Sequence, residues 1–82
     1  MNYNHFVYLG DTALRVDKIS SISGVKQVDK DKWRFTVTVE GTKRLFTYTN
    51  NDESIAREER TRFITAVNQE LDKLTEYKHD RL

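Results

Sequence analysis

The chain has 82 residues, of which 37% are hydrophobic, 11% aromatic and 33% charged, with 14 Lys and Arg against 13 Asp and Glu. A chain of this length buries roughly 60% of its unfolded surface around one core, so we expect a single domain over residues 1–82 and little material for an enclosed substrate pocket. The net charge of +1 gives no global attraction to nucleic acid or membrane, and the absence of Cys excludes disulfides, thiolate catalysis and Cys-based metal sites.

The first thirty residues predict strands separated by polar turns. A strand candidate covers residues 3–9, and Gly10-Asp11 marks a turn after it. We expect three strands before the polar segment 29–32, the last with a bulge at Gly24 and a continuation to Val28. This part of the chain has neither a secretory signal nor a membrane span, so we expect a cytoplasmic protein.

The strongest local pattern begins at Trp33, where apolar and polar residues alternate as far as Glu40. Period two is typical of a half-buried strand. Gly41-Thr42 follows, and Gly at the first central position suits a type II′ turn between two antiparallel strands. The segment therefore predicts a tight β-hairpin.

A two-residue loop at this hairpin predicts the strand register. The expected pairs are Val37 with Phe46, Phe35 with Tyr48, Trp33 with Asn50, and Glu40 with Lys43 as a charge pair. The opposite face would be mostly polar, with Arg34, Thr36, Thr38, Leu45, Thr47 and Thr49. Because one helix can cover only one face of a sheet, this second face is expected to be either solvated or an interface.

One amphipathic helix is predicted over residues 51–77, with residues 78–82 as a frayed tail. Asn50 and Glu53 have the spacing of a capping box at its start. Its apolar stripe is expected to contain Ile55, Phe63, Ile64, Val67, Leu71 and Leu74. The pairs Glu53 with Arg57 and Glu58 with Arg62 would stabilise the exposed side.

The predicted fold is therefore α+β, with an antiparallel sheet of four to five strands over residues 1–50 packed on one face by a single C-terminal helix. An apolar strand ending in a Gly turn (residues 6–11), a Gly-turn hairpin (residues 39–42) and an acid-capped helix follow one another. This order resembles that of many small proteins of bacteria and their phages. The resemblance implies a fold and brings no functional residue with it.

Residue patterns for catalysis or cofactor binding are missing from the sequence. His5 and His79 lie at opposite ends without a second imidazole three or four residues away, so we expect no metal site. The carboxylates fall at turns, at the helix start and on the helix surface, where burial is too slight to separate their pKa values for acid–base work. We expect no cofactor and no enzyme, and a catalytic site assembled at a dimer interface is the least favoured hypothesis.

Two binding hypotheses remain. The first is a non-enzymatic protein–protein interaction or regulatory module, with a second copy of the chain as one candidate partner. The candidate contact residues are Trp33, Arg34, Lys43, Arg44, Arg57 and Arg60. Trp33 is expected to stay partly exposed, as interface aromatics often do. The alternative is a nucleic-acid-binding module that uses the basic residues around the hairpin, Lys32, Arg34, Lys43 and Arg44, on phosphates.

Overall fold

The computed structural model describes residues 5–80, with side chains described over residues 5–74. Strands precede a single helix, which confirms the predicted α+β order. The elements are β1 (Phe6–Leu9), β2 (Thr12–Arg15), a 3₁₀ turn (Val16–Lys18), β3 (Ile19–Ile22), β4 (Lys26–Asp29), β5 (Lys32–Val39), β6 (Leu45–Asn50) and α1 (Glu53–Asp80). The helix extends past the predicted end at residue 77, and Arg81 and Leu82 of the predicted frayed tail lie outside the described residues.

Strands β1 and β2 form a separate antiparallel hairpin. The predicted turn is confirmed, and Gly10 adopts a φ of +60°, a value that residues with a Cβ rarely adopt. Alternation along β1 buries Val7 and Leu9 and exposes Phe6 and Tyr8. One face of this hairpin therefore belongs to the core while the other faces outward.

Strand β5 is the centre of the larger, four-stranded sheet. β6 pairs with one of its edges, while β3 and β4 lie end to end along the other. The sequence predicted three strands before the polar turn, and the structure has four because the last of the three is interrupted between Ile22 and Lys26. The interruption surrounds Gly24, where a bulge was predicted, and β4 continues through Val28 as expected.

Ser23 bridges the gap between β3 and β4. Its amide donates to the Thr36 carbonyl oxygen at 2.8 Å, and its Oγ accepts from the Thr36 amide at 2.8 Å. Because the hydroxyl replaces a backbone acceptor, the Ser23 carbonyl is available to another partner. Arg60 of α1 donates to it from Nε at 2.6 Å, which joins the helix to the outer edge of the sheet.

The β5–β6 hairpin has the predicted register. Val37 lies opposite Phe46, Phe35 opposite Tyr48, and Trp33 opposite Asn50. Gly41 has the positive φ, +88°, expected of a turn glycine, but the predicted two-residue loop is wrong, because β5 ends at Val39 and β6 begins only at Leu45.

The expected charge pair between Glu40 and Lys43 is wrong. Strand pairing stops at Thr38 and Leu45, and no ion pair joins the two charged residues among those described. The Glu40 amide donates instead to the Lys18 carbonyl at 2.7 Å, on the β3 side of β5. This hydrogen bond continues the β3–β5 pairing, so the Glu40 amide is bonded on the β3 side of β5 and not to β6.

Helix α1 begins with a different cap from the one expected. Asp52 Oδ1 accepts hydrogen bonds from the Ser54 amide at 2.9 Å, the Ile55 amide at 3.2 Å and the Ser54 hydroxyl at 2.7 Å. Asn50 instead accepts from the Asp52 amide at 2.9 Å and so shapes the turn before the helix. Asp52, two residues later than predicted, is therefore the N-cap.

The buried face of α1 is rotated from the predicted stripe. Phe63 and Val67 are buried as expected, but Ile55 is 43% exposed and Leu71 is 38% exposed, and Ala56 is fully buried in place of Ile55. Position 56 lies seven residues before Phe63 and is in phase with the core-facing side, whereas position 55 is about 100° away. Ala lacks a bulky side chain and is easily overlooked in an apolar pattern, although it suits a close helix–sheet contact.

The helix and the β1–β2 hairpin pack on the same face of the larger sheet. The core contains Val7, Leu9, Leu14, Val16, Phe35, Val37, Phe63 and Val67. The opposite face of the sheet, which we call the open face, bears no described element, and Leu45, Thr47 and Thr49 are exposed on it. Among the described residues no helix is both long and apolar enough to cross a membrane.

Candidate functional site

A cleft lies where the tip of the β1–β2 hairpin, strand β6 and helix α1 meet. Its volume is about 250 Å³, and it is lined by Tyr8, Leu9, Gly10, Phe35, Tyr48, Glu59, Arg62, Phe63 and Ala66. We call it the aromatic cleft. Small-molecule pockets usually begin at roughly 300 Å³, so this cleft lies below that range and is large enough for one bulky side chain.

The floor of the aromatic cleft is formed by side chains of the core. The rings of Phe35 and Tyr48 are stacked with centroids 5.5 Å apart, and those of Phe35 and Phe63 are tilted with centroids 6.2 Å apart. Asn50 Nδ2 donates to the Tyr48 Oη at 3.1 Å, which fixes the outer end of that ring. The floor is therefore apolar and held in place before any ligand arrives.

The rim of the cleft is polar on one side and aromatic on the other. Arg62 Nη1 lies 3.1 Å from Glu59 Oε1, and its Nη2 lies 3.4 Å from Glu58 Oε1, so the guanidinium and the two carboxylates form one network on the helix surface. Tyr8, across the cleft, is 70% exposed. An apolar floor beneath a polar rim is the usual composition of a protein-binding pocket.

The chemical groups that line the aromatic cleft are mainly apolar. The Glu59 carboxylate is paired with Arg62, and the described lining residues include no second carboxylate or imidazole to act with it as an acid–base pair. No group of three or more His, Asp or Glu side chains that could hold a metal occurs among the residues that the structure describes. The arrangement can bind an apolar group, and its described polar side chains are Tyr8, Tyr48, Glu59 and Arg62.

A second charged cluster joins the start of β1 to the helix. His5 Nδ1 lies 3.6 Å from Glu70 Oε1, and Lys73 Nζ lies 2.8 Å from Glu70 Oε2. The hydrogen bond from Lys73 is the main reason why the pKa of Glu70 lies below its ordinary value. Because its contacts tie β1 to α1, the cluster has a structural role.

The six predicted contact residues do not form one surface. Lys43 and Arg44 lie in the loop after β5, while Trp33 and Arg34 lie near the other end of that strand. That loop begins after Val39, the last residue of β5, and Val39 lies about 17 Å along the strand from Arg34 at roughly 3.4 Å per residue. Arg57 and Arg60 are on the helix, so the candidates fall into three separate groups.

Each group has its own environment. Trp33 lies on the helix-covered face and is half-buried, so it stays partly exposed as expected. Arg34 lies on the open face and donates from Nε to Thr49 Oγ1 at 3.0 Å. The Arg44 guanidinium stands 5.0 Å from the centroid of the Phe46 ring. The predicted Glu53–Arg57 and Glu58–Arg62 pairs are confirmed, at 2.8 Å and 3.4 Å.

Arg60 differs from the other candidates because its guanidinium is used inside the fold. It is half-buried and bonded to the Ser23 carbonyl. It is therefore less suited to contact a partner than Arg57, whose ion pair lies in solvent.

Sequence reasoning missed the two rim residues Tyr8 and Glu59. A signal for Tyr8 was present, because it alternates with Val7 and Leu9 and must point away from the side that they bury. An aromatic residue at an outward strand position is a candidate for binding. No comparable signal exists for Glu59, whose place at the cleft depends on how the hairpin tip approaches the helix.

Comparison with protein-family models gives no match, and no curated protein and no solved structure matches the chain either. The function has therefore to be inferred from the geometry of the described residues.

Proposed function

We propose that this protein is a non-enzymatic interaction module that binds another protein chain by taking one bulky apolar side chain of that partner into the aromatic cleft. The observation that carries the proposal is an apolar aromatic floor of single-side-chain size, open to solvent beside an exposed Tyr. Binding energy at protein interfaces is concentrated in such anchor pockets.

The rim supports a protein partner over a free apolar small molecule. Glu59 and Arg62 line the cleft and offer an acceptor and donors beside its apolar floor to the backbone on either side of an inserted side chain. A free hydrocarbon would leave these groups unused.

The cytoplasmic location and the homo-oligomeric state expected from the sequence stay predictions. A second copy of the chain is one protein that could supply the inserted side chain, and sizing by light scattering tests it directly. Under that hypothesis Trp33→Ala stays folded and loses self-association. Monomeric masses for both the parent protein and the variant would restrict the proposal to a different partner chain.

The cleft is tested with capped amino acids as minimal probes. N-acetyl-tryptophan amide and N-acetyl-leucine amide are titrated into labelled protein while backbone amide shifts are followed by NMR. We expect dissociation constants of about millimolar, as suits fragments of this size, with shifts confined to the hairpin tip, β6 and the middle of α1. N-acetyl-glycine amide, which has no side chain to insert, is expected to cause no such shifts.

Two variants distinguish binding in the cleft from nonspecific binding to exposed apolar surface. Tyr8→Ala removes an exposed wall of the cleft and should weaken binding of the tryptophan probe about two- to twelvefold, since one aromatic contact contributes about 0.5–1.5 kcal/mol. Leu45→Ala removes a large apolar side chain that is 61% exposed and lies outside the cleft, so it is the matched control. Equal weakening by both variants, or shifts spread over the whole surface, would contradict the proposal.

A further inference from the structure

Cationic side chains without carboxylate partners gather at one end of the open face. Lys26 lies directly opposite Arg34, so the two side chains share a face, and Lys32 precedes Arg34 by two residues on the same strand and points the same way. We call these three residues the basic corner. None of them takes part in an ion pair with a described residue.

The cations of the helix have a different environment. Arg57, Arg62 and Lys73 each lie within 3.4 Å of a carboxylate oxygen on α1, which neutralises much of their charge. The carboxylate nearest the basic corner in the strand register is Asp29, opposite Lys32, and its Oδ1 accepts from the Lys30 amide at 2.7 Å. Asp29 shares the face of Lys32 but makes no ion pair with it among the described residues, so the basic corner keeps an excess of positive charge on the side away from the helix.

Hydroxyl groups continue the open face beyond the basic corner. In the strand register, Thr49 lies beside Arg34, and Thr36 and Thr47 form the next row. Thr49 Oγ1 accepts from Arg34 Nε, which orients the guanidinium, while the two Nη groups make no hydrogen bond to a described residue. Lysine and arginine side chains with neighbouring hydroxyls are the groups that proteins use to contact phosphate oxygens.

We infer that the open face binds the phosphate backbone of double-stranded nucleic acid through Lys26, Lys32 and Arg34. A single strand is less suitable, because its binding depends on bases stacking on aromatic side chains. The alternating strand pattern directs Trp33, Phe35 and Tyr48 to the helix-covered face, so the described residues of the open face form no aromatic platform. A duplex presents phosphates without requiring contact with its bases.

This inference is independent of the aromatic cleft and changes the set of basic residues expected from the sequence. Lys32 and Arg34 remain, and Lys26 joins them through the β4–β5 pairing. Lys43 and Arg44 lie at the far end of β5, and Arg44 stands over Phe46, whose side chain belongs to the helix-covered face. These two residues are therefore outside the proposed contact.

The test measures fluorescence anisotropy with labelled DNA duplexes and labelled RNA duplexes of mixed sequence. A comparison of the two affinities shows which kind of duplex the open face prefers. Contact with three phosphates predicts a slope of about −3 in log affinity against log salt, at roughly −0.9 per phosphate. Affinity should therefore fall about 40-fold between about 50 mM and about 200 mM salt. A single strand of the same sequence and a polyglutamate peptide serve as competing ligands and should bind more weakly than the duplex.

Two triple variants decide whether the basic corner is responsible. Replacing Lys26, Lys32 and Arg34 with Gln should weaken duplex binding at least about tenfold, whereas the same replacement of Arg57, Arg62 and Lys73 removes equal charge from the helix and should leave most of the affinity. If the first variant does not fold, the double variant Lys26→Gln with Lys32→Gln changes exposed positions only.

Several results would overturn the inference. No duplex binding at low salt is one, and an equal loss in the two triple variants, which indicates attraction by net charge alone, is another. Tighter binding of the single strand would require a stacking surface that the open face lacks. Tighter binding of polyglutamate would assign the basic corner to an acidic protein partner. Neither the duplex result nor the variant result depends on whether the aromatic cleft binds its probes.

Discussion

Arg60 Nε donates a hydrogen bond of 2.6 Å to the carbonyl oxygen of Ser23, which ties the helix to the gap between β3 and β4. The Ser23 carbonyl is available because the Thr36 amide donates to Ser23 Oγ and the Ser23 amide donates to the Thr36 carbonyl. A serine in the gap therefore serves both the sheet and the helix. The contact also explains why an arginine on the helix is half-buried without a carboxylate partner among the described side chains.

Arg60→Met should lower the free energy of unfolding by about 1–2 kcal/mol, because it retains an apolar stem but leaves the Ser23 carbonyl without its donor. Urea unfolding followed by circular dichroism measures the change. Arg57→Met is the control, since the exposed ion pair of Arg57 with Glu53 is worth less than about 1 kcal/mol. A larger loss for Arg57→Met than for Arg60→Met would mean that the contact with Ser23 is not stabilising.

Ser23→Ala should lower the free energy of unfolding by about 1 kcal/mol and speed hydrogen exchange at the Thr36 amide. The reason is that this amide donates to Ser23 Oγ, an acceptor that alanine lacks. Exchange measured by NMR reports the change residue by residue. Ser20→Ala provides the comparison, because the Ser20 hydroxyl donates to a carbonyl and serves no backbone amide; unchanged protection of Thr36 in Ser23→Ala would refute the bridging role.

Ala56→Leu should destabilise the protein by about 1–3 kcal/mol, because the fully buried site has no room for three more carbons without rearrangement. Ile55→Ala should cost less than about 1 kcal/mol, since Ile55 is substantially exposed. Thermal and chemical unfolding of the two variants compares the adjacent positions directly. The reverse order of stabilities would restore the apolar stripe expected from the sequence.

Asp52→Asn should reduce the melting temperature at neutral pH and have no effect in strong acid. Hydrogen bonds from the Ser54 hydroxyl and from the Ile55 and Ser54 amides hold the pKa of Asp52 below its ordinary value. A carboxyl with a lowered folded-state pKa contributes stability above its unfolded pKa of about 3.9, and this contribution is lost as the pH falls through the folded value.

Melting curves of Asp52→Asn and the parent protein, recorded from neutral pH down to strong acid, test this dependence. The two should converge as Asp52 becomes protonated, because Asn is itself a good N-cap. Asp52→Ala removes the acceptor and should remain less stable over the whole range. A difference between Asp52→Asn and the parent that persists in strong acid would show that ionisation of Asp52 is not its cause.

The sequence was sufficient for features that depend on local patterns. Alternation after Trp33 and the Gly at position 41 predicted the pairing of Phe35 with Tyr48 and of Val37 with Phe46, which the structure confirms. The same holds for the helical ion pairs, because residues four apart on a helix are always neighbours.

Features that depend on how elements meet could not be predicted in the same way. Ala56 is fully buried, which depends on how α1 packs in the fold, and an alanine contributes little to an apolar pattern. The aromatic cleft needs Tyr8, Tyr48 and Phe63 from three different elements, so no spacing along the chain indicates it. The basic corner likewise depends on the pairing of Lys26 with Arg34, and the register of β4 with β5 is irregular between Gln27 and Asp29.

The central place of β5 also bears on the order in which the sheet assembles. Its partners β4 and β6 are joined to it by short loops, so these pairings close with little loss of chain entropy. β3 reaches β5 across a longer segment, and the contacts of β1 with α1 join opposite ends of the chain, which makes them later events. We therefore expect the β4–β5–β6 meander to form a folding nucleus onto which the first hairpin and the helix condense.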